Sequence, residues 1–277
     1  MVFRLILSNR ACYSAFRFPI HFHQSSQQQI RSRFFSRSLI TSTIKMSSNP
    51  TRKLTPQEVL ERNGNWQQEA YEVDRDLFTV NAAGQNPPIL WVGCSDSRVP
   101  ESVVCHVKPG DMFVHRNIAN QFNEDDDSAN SVLTYGVEAL GVEHVIIVGH
   151  TSCGGVLASL SGAKGDILPD SKSLQRYLTP LVHICGSVRE SMGLQKGQDP
   201  EDKIAQDELL KRATEENVKA QVRKVADSKV IQANWAGKRT AFPGQPKAKI
   251  QIHGWIHDIS NGKLRDLGVT IKAPGEE

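Results

Sequence analysis

No aspartate or glutamate occurs before Glu58, and the stretch to residue 45 carries Arg4, Arg10, Arg17, Arg31, Arg33, Arg37 and Lys45. Taking those seven positive charges from the whole-chain value of +3 leaves −4 for the remainder. The basic balance therefore belongs to one end, and the body lacks the charge that a nucleic-acid surface would need. No apolar run approaches the roughly 18 residues of a membrane-spanning helix, so membrane insertion by a helix is not expected. Aromatic residues are scarce at 6%, but 39% hydrophobic and 23% charged residues are near ordinary globular usage. A chain of 277 residues with this composition can bury a core, and disorder is not its default state.

Cysteine is also sparse, with five residues in all. Cys12 lies in the basic segment. Cys105 and Cys185 occupy apolar or helical contexts and read as small core residues. Cys94 and Cys153 need another explanation.

The acid-free, Arg- and Ser-rich residues 1–45 have the composition of a mitochondrial transit peptide, and Arg33-Phe34-Phe35-Ser36 resembles the surroundings of a matrix-protease cleavage site. The alternative is a disordered basic tail without a targeting role. The expectation is a disordered transit peptide over 1–45 leading to the mitochondrial matrix, followed by a single catalytic domain over 46–277. Met46 could start a shorter cytosolic form.

In the body, Thr55, Pro56 and Glu58 mark the start of a helix over 56–72. The apolar run 88–93, ending at Cys94, reads as a buried strand, and 112–115 as a second. Ser128 is placed to cap a helix that runs to Leu140 and stops at Gly141. The β-branched run 144–149 is the clearest strand. Helices are expected over 172–192 and 201–226, the second charged and surface-lying. Asn261-Gly262, between 249–255 and 268–271, signals a hairpin. This alternation predicts an α/β fold: a central, mainly parallel β-sheet flanked by helices, with a C-terminal antiparallel hairpin.

Such sheets bind ligands beyond the carboxyl ends of their strands. Cys94-Ser95-Asp96-Ser97-Arg98 follows one predicted strand, and His150-Thr151-Ser152-Cys153-Gly154-Gly155 follows another. Zinc takes thiolate and imidazole ligands tetrahedrally and keeps a position for water in catalytic sites. His150 and Cys153, three residues apart in a turn entering a helix, can aim at one point, with Cys94 as a third ligand. Two thiolates would cancel the charge of the ion. Each pair alone also fits buried core residues and a glycine turn.

These segments resemble the signature of the β-class carbonic anhydrases, here of a fungal-like, mitochondrially targeted kind. In that signature a Cys-x-Asp-x-Arg motif is followed by His-x-x-Cys, and His150 stands 56 positions after Cys94. The resemblance extends over about residues 55–270 and includes 115–120 and His253-Gly254-Trp255. It implies reversible hydration of carbon dioxide to bicarbonate, with one Zn2+ per chain held by Cys94, His150 and Cys153. It assigns Asp96 and Arg98 as a catalytic dyad, Gln85 as a donor to substrate oxygen, and Phe113, Ile118 and Tyr135 as the apolar wall receiving carbon dioxide. Without it, Phe113 and Ile118 would be ordinary core residues and Gln85 an ordinary loop residue. Part of the wall comes from a second subunit in that family, which implies a homodimer or homotetramer.

In some members the aspartate swings onto zinc as a fourth ligand, the role that would fall to Asp96. Trp91 and Arg116 match a bicarbonate regulatory pocket of those members, although His257 stands where they usually have tyrosine, and Trp91 also suits the core. Other readings stay open: an Asp96–Arg98 surface ion pair, a carbonyl sulfide or carbon disulfide hydrolase on the same zinc, a non-catalytic carbon-dioxide sensor, and a Cys94/Cys153 redox dithiol.

Overall fold

The expected alternation of strands and helices is realised in the computed structural model, which describes residues 53–166 and 170–276. Residues 1–45, and the transit-peptide reading with them, lie outside the described residues. In chain order the elements are α1 (Pro56–Val73), α2 (Leu77–Ala83), β1 (Ile89–Cys94), α3 (Glu101–Val104) and β2 (Met112–Asn117). A 3-10 turn (Ile118–Asn120) leads to α4 (Asp127–Thr134), which continues as a π-helical turn (Tyr135–Leu140). Then come β3 (His144–His150), α5 (Gly154–Lys164), α6 (Lys172–Ser191), α7 (Lys203–Asp227), α8 (Lys229–Trp235), β4 (Gln251–Asp258) and β5 (Lys263–Asp266).

The sheet order is β2-β1-β3-β4-β5, parallel except for the antiparallel β4–β5 hairpin. Strands β1 and β3 are apolar almost throughout because both of their faces are covered. On one face Leu90, Val92, Val145, Ile147 and Ile252 pack with Val218, Val222 and Val225 of α7. On the other, Trp91, Ile146 and Val148 form a second cluster. Each fully buried aliphatic side chain contributes roughly 1.5–3 kcal/mol. A third cluster, at the carboxyl ends of the strands, joins Cys94, Ala119 and Cys153 to Leu178, Leu181 and Cys185 of α6 and Leu209 and Ala213 of α7. Among the described residues no helix is long and apolar enough to cross a membrane.

Three local expectations are corrected. Asp126, not Ser128, caps α4, its carboxylate accepting from the Ser128 and Ala129 N–H groups. A single carboxylate oxygen, Oδ1, accepts from both free amides, and its negative charge suits the positive end of the helix. Helix α7 is not surface-lying: Leu209, Ala213, Asn217, Val218, Gln221, Val222 and Val225 make a buried stripe at helical spacing. The polar members of that stripe hide it in the sequence. The Asn261-Gly262 turn is present, with Gly262 at φ 74°, but β5 follows it directly. A tight turn fixes the pairing register, so residues 268–271 contribute only the Ile252–Ile271 bridge.

Candidate metal centre

Parallel pairing of β1 with β3 sets the two motifs side by side, since both strands end at the same edge of the sheet. Beyond His150 the chain turns at once: the Thr151 N–H donates to the His257 carbonyl at 3.0 Å, and Ser152 takes a left-handed φ of 57°. A non-glycine residue there costs on the order of 1–3 kcal/mol, which the surrounding contacts must offset. The turn delivers Cys153 to the start of α5, where the helix dipole and the Gly155 and Val156 N–H groups favour a thiolate.

The ligand atoms of Cys94, His150 and Cys153 are all buried and lie within 4.8 Å of one another. The two free thiols have their sulfurs 4.0 Å apart. That is far beyond a disulfide bond of about 2.05 Å. It is near the roughly 3.8 Å between two sulfurs placed about 2.3 Å from one tetrahedral zinc. His150 Nδ1 donates to the Thr151 carbonyl at 2.9 Å, which leaves Nε2 as the unprotonated nitrogen. That Nε2 is buried without a hydrogen-bond partner. Such an orphan costs about 1–3 kcal/mol, a cost that a cation between it and the sulfurs removes. The donor set fits zinc, whereas a dithiol leaves Nε2 unsatisfied.

Hydrogen bonding from Cys153 lowers the Cys94 thiol against the opposing effect of burial, helped by the backbone at Asp96. Cys153 is raised, first by that same hydrogen bond and then by burial. The carboxylate of Asp96 is gripped by Arg98 Nε at 2.9 Å and Nη2 at 2.7 Å, and by the Arg98 N–H at 2.9 Å. The Arg98 side-chain bonds hold the Asp96 carboxyl well below the usual range. Asp96 Oδ2 stands 3.9 Å from His150 Nε2, which sets the carboxylate beside the cluster, while Arg98 holds it from the exposed side. Arg98 is itself tied back to the Ser152 carbonyl at 3.3 Å.

Of the expected wall, Ile118 lies at this centre. A methyl group on Gly155 would come within 3.1 Å of Ile118 Cγ2 and 2.8 Å of Ala119 Cβ, so only glycine lets α5 approach this closely. Gln85, Phe113 and Tyr135 are not brought to the metal centre. Phe113 is paired with Leu90 while Asn117 is paired with Cys94, four residues or about 13 Å further along the sheet. Phe113 stacks on Tyr135 at 5.9 Å, and Gln85 is exposed in a groove with Asn81 and Lys108.

Trp91 packs against Ile146 and Val148, and its indole overlies Gly93, where any Cβ would lie 2.4 Å from Nε1. Arg116 donates to the Cys94 carbonyl at 2.9 Å and the Asp96 carbonyl at 2.6 Å, cradling the first motif. His257 pairs in register with His150, and both its ring nitrogens are buried without partners. Burial, then the nearby His150, lowers its pKa.

Two contributors carry no sequence signal because they act through the backbone: the Thr151 and Ser152 carbonyls. One other was legible in principle. Glu138 is an acid within the apolar stretch 136–140, and it accepts from the Thr240 N–H and hydroxyl and from the Ala241 and Phe242 N–H groups. This seats Phe242 on Tyr135, with ring centroids 6.0 Å apart.

The family model described as carbonic anhydrase matches residues 89–264. A carbonic anhydrase of Emericella nidulans is 33% identical over 216 residues, which are 78% of this chain and 84% of that protein. A tetrameric β-carbonic anhydrase of Sordaria macrospora superposes with a TM-score of 0.65 at 29% identity, covering 78% of this chain and 98% of that one. One from Aspergillus fumigatus does so with a TM-score of 0.63 at 33% identity, over 76% and 90%. On these matches and this fold, the chain belongs to the β-class carbonic anhydrases.

Proposed function

We propose that the chain hydrates carbon dioxide reversibly to bicarbonate and a proton, at one zinc ion held by Cys94, His150 and Cys153. One observation carries this reading: an Arg-clamped carboxylate stands 3.9 Å from the open nitrogen of a buried Cys–His–Cys cluster. A purely structural zinc has no use for that pair. Zinc held there supplies the Lewis acidity that hydration near neutral pH requires.

The protein's own groups do the rest. The two thiolates balance the charge of the ion. Asp96, kept anionic by Arg98, accepts a hydrogen bond from the attacking water and turns a lone pair of its oxygen toward carbon. Arg98 holds the carboxylate through two parallel bonds, which fixes its plane. Ile118 supplies apolar contact to carbon dioxide. Gln85, Phe113 and Tyr135 complete the substrate wall from a second copy of the chain, in a homodimer or homotetramer. The exposure of Ile118 (43%) and Tyr135 (44%) supports a wall still to be covered. Trp91, Arg116 and His257 are proposed as a bicarbonate regulatory pocket, and Asp96 as the fourth ligand of a closed state. The composition of residues 1–45 supports delivery to the mitochondrial matrix, with Met46 starting a cytosolic form.

Zinc analysis together with stopped-flow hydration assays tests the proposal. The expected result is one zinc per chain, with turnover lost on chelation and restored by zinc. Sulfide release from carbonyl sulfide without carbon dioxide hydration, or a zinc-loaded protein without turnover, would overturn it.

A further inference from the structure

Helix α7 presents Asn217 and Gln221 to the sheet, both fully buried, and both meet Gln121 of the segment that follows β2. Their contacts form a closed set. Gln121 Nε2 donates to Asn217 Oδ1 at 2.7 Å, and Gln221 Nε2 donates to Asn217 Oδ1 at 3.0 Å and Gln121 Oε1 at 3.3 Å. The remaining bonds go to backbone. The Ala119 carbonyl accepts from Gln121 Nε2 at 2.7 Å and from Asn217 Nδ2 at 3.0 Å, and the Phe122 N–H donates to Gln221 Oε1 at 3.0 Å.

The backbone held this way is unusual. Ala119 and Asn120 have φ of 60° and 49°, a left-handed conformation that asparagine tolerates but that is costly for alanine. Asn117 reinforces it, its side chain donating to the Gln121 carbonyl at 2.6 Å and accepting from the Gln121 N–H at 2.7 Å. The product is the place of one residue: Ala119, two positions beyond the Asn117 that pairs with Cys94, is fully buried in the cluster that also holds Cys94 and Cys153. On its far side the same residue is pressed by the start of α5 at Gly155.

We propose that Asn217, acting with Gln121 and Gln221, is a positioning residue for Cys94: it holds the left-handed Ala119 turn in the cluster that packs Cys94 and Cys153. The inference rests on the reading of Cys94 as a zinc ligand. Amides that only filled the core would satisfy one another anywhere along the helix. These converge on the carbonyl of Ala119, the residue packed with both sulfur ligands, and on the N–H three residues later.

The test compares N217A and Q221M with V225A, a truncation of another fully buried α7 residue away from the amides. Zinc affinity is read by chelator competition, the sulfur-to-metal charge-transfer band in the cobalt-substituted protein, and stability by thermal melting. All three variants are expected to melt lower. N217A and Q221M should also bind zinc about 10–100-fold more weakly and shift the cobalt band, as outer-sphere partners of metal ligands do. V225A should do neither. Should N217A fail to fold, Q221M, which keeps the side-chain volume, carries the comparison. A folded N217A or Q221M with wild-type zinc affinity and an unshifted band overturns the inference alone. Wild-type protein that binds no zinc overturns the metal reading and this inference together.

Discussion

Cys94, His150 and Cys153 reach one point because two parallel strands end together and a helix begins four residues after the second. Phe113 and Tyr135 lie on the same sheet and on the turn beside it, yet they face each other about 13 Å back along the strands. The first region is buried, closed by hydrogen bonds and complete within one chain. The second is an aromatic surface, Phe113, Tyr135 and Phe242, with Tyr135 44% exposed. The difference teaches that local chain geometry can build a metal cradle, whereas the substrate's apolar wall is proposed to need a second copy. The metal centre should therefore tolerate loss of the wall, and the reverse should also hold.

The largest expected effect comes from Asp96→Asn. It keeps the shape but cannot accept as a carboxylate does, so hydration should fall on the order of 100-fold or more while zinc content stays at the wild-type value. Near-normal turnover would remove Asp96 from the chemistry. A smaller effect is expected at the wall: Phe113→Ala with Tyr135→Ala should lower kcat/KM about tenfold, equal to about 1.4 kcal/mol, without changing bound zinc. Zinc loss in that variant would erase the distinction between the two regions.

The smallest effect concerns Glu138, which anchors the loop carrying Phe242. Burial raises its carboxyl pKa, but the donors from Thr240, Ala241 and Phe242 outweigh it, and the net shift is downward. A depressed folded value adds stability above the unfolded value of about 4.3, and that stability is lost as pH falls through the folded value. Glu138→Gln should thus cost on the order of 2 kcal/mol at neutral pH, with the gap in Tm from wild type narrowing in acid. A constant gap from pH 7 to pH 3 would show that the carboxylate charge is not what holds the loop.

The sequence disclosed those parts of the molecule that depend on short stretches of chain. The apolar runs of β1 and β3 and the ligand spacing after them are local patterns, and they were legible as strands and a metal motif. Helix α7 misled because Asn217 and Gln221 occupy its buried stripe, and polar residues there read as solvent-facing until their partner Gln121, distant in sequence, is known. The hairpin turn was readable from Asn261-Gly262, but the extent of β5 follows from strand register. That Ile118 joins the metal centre while Phe113 does not is a matter of position along β2 and the turn after it, which no pattern of residue types conveys.

Complementation between an inactive chain and an impaired one tests the account most directly. Cys153→Ser removes a ligand and leaves the wall; the Phe113→Ala, Tyr135→Ala chain keeps the ligands and loses the wall. Co-expressed, they should form mixed assemblies in which an intact cradle meets an intact wall, and carbon dioxide hydration should rise well above the sum of the two chains assayed separately. Activity no greater than that sum, in verified mixed assemblies, would contradict a wall supplied by a second copy.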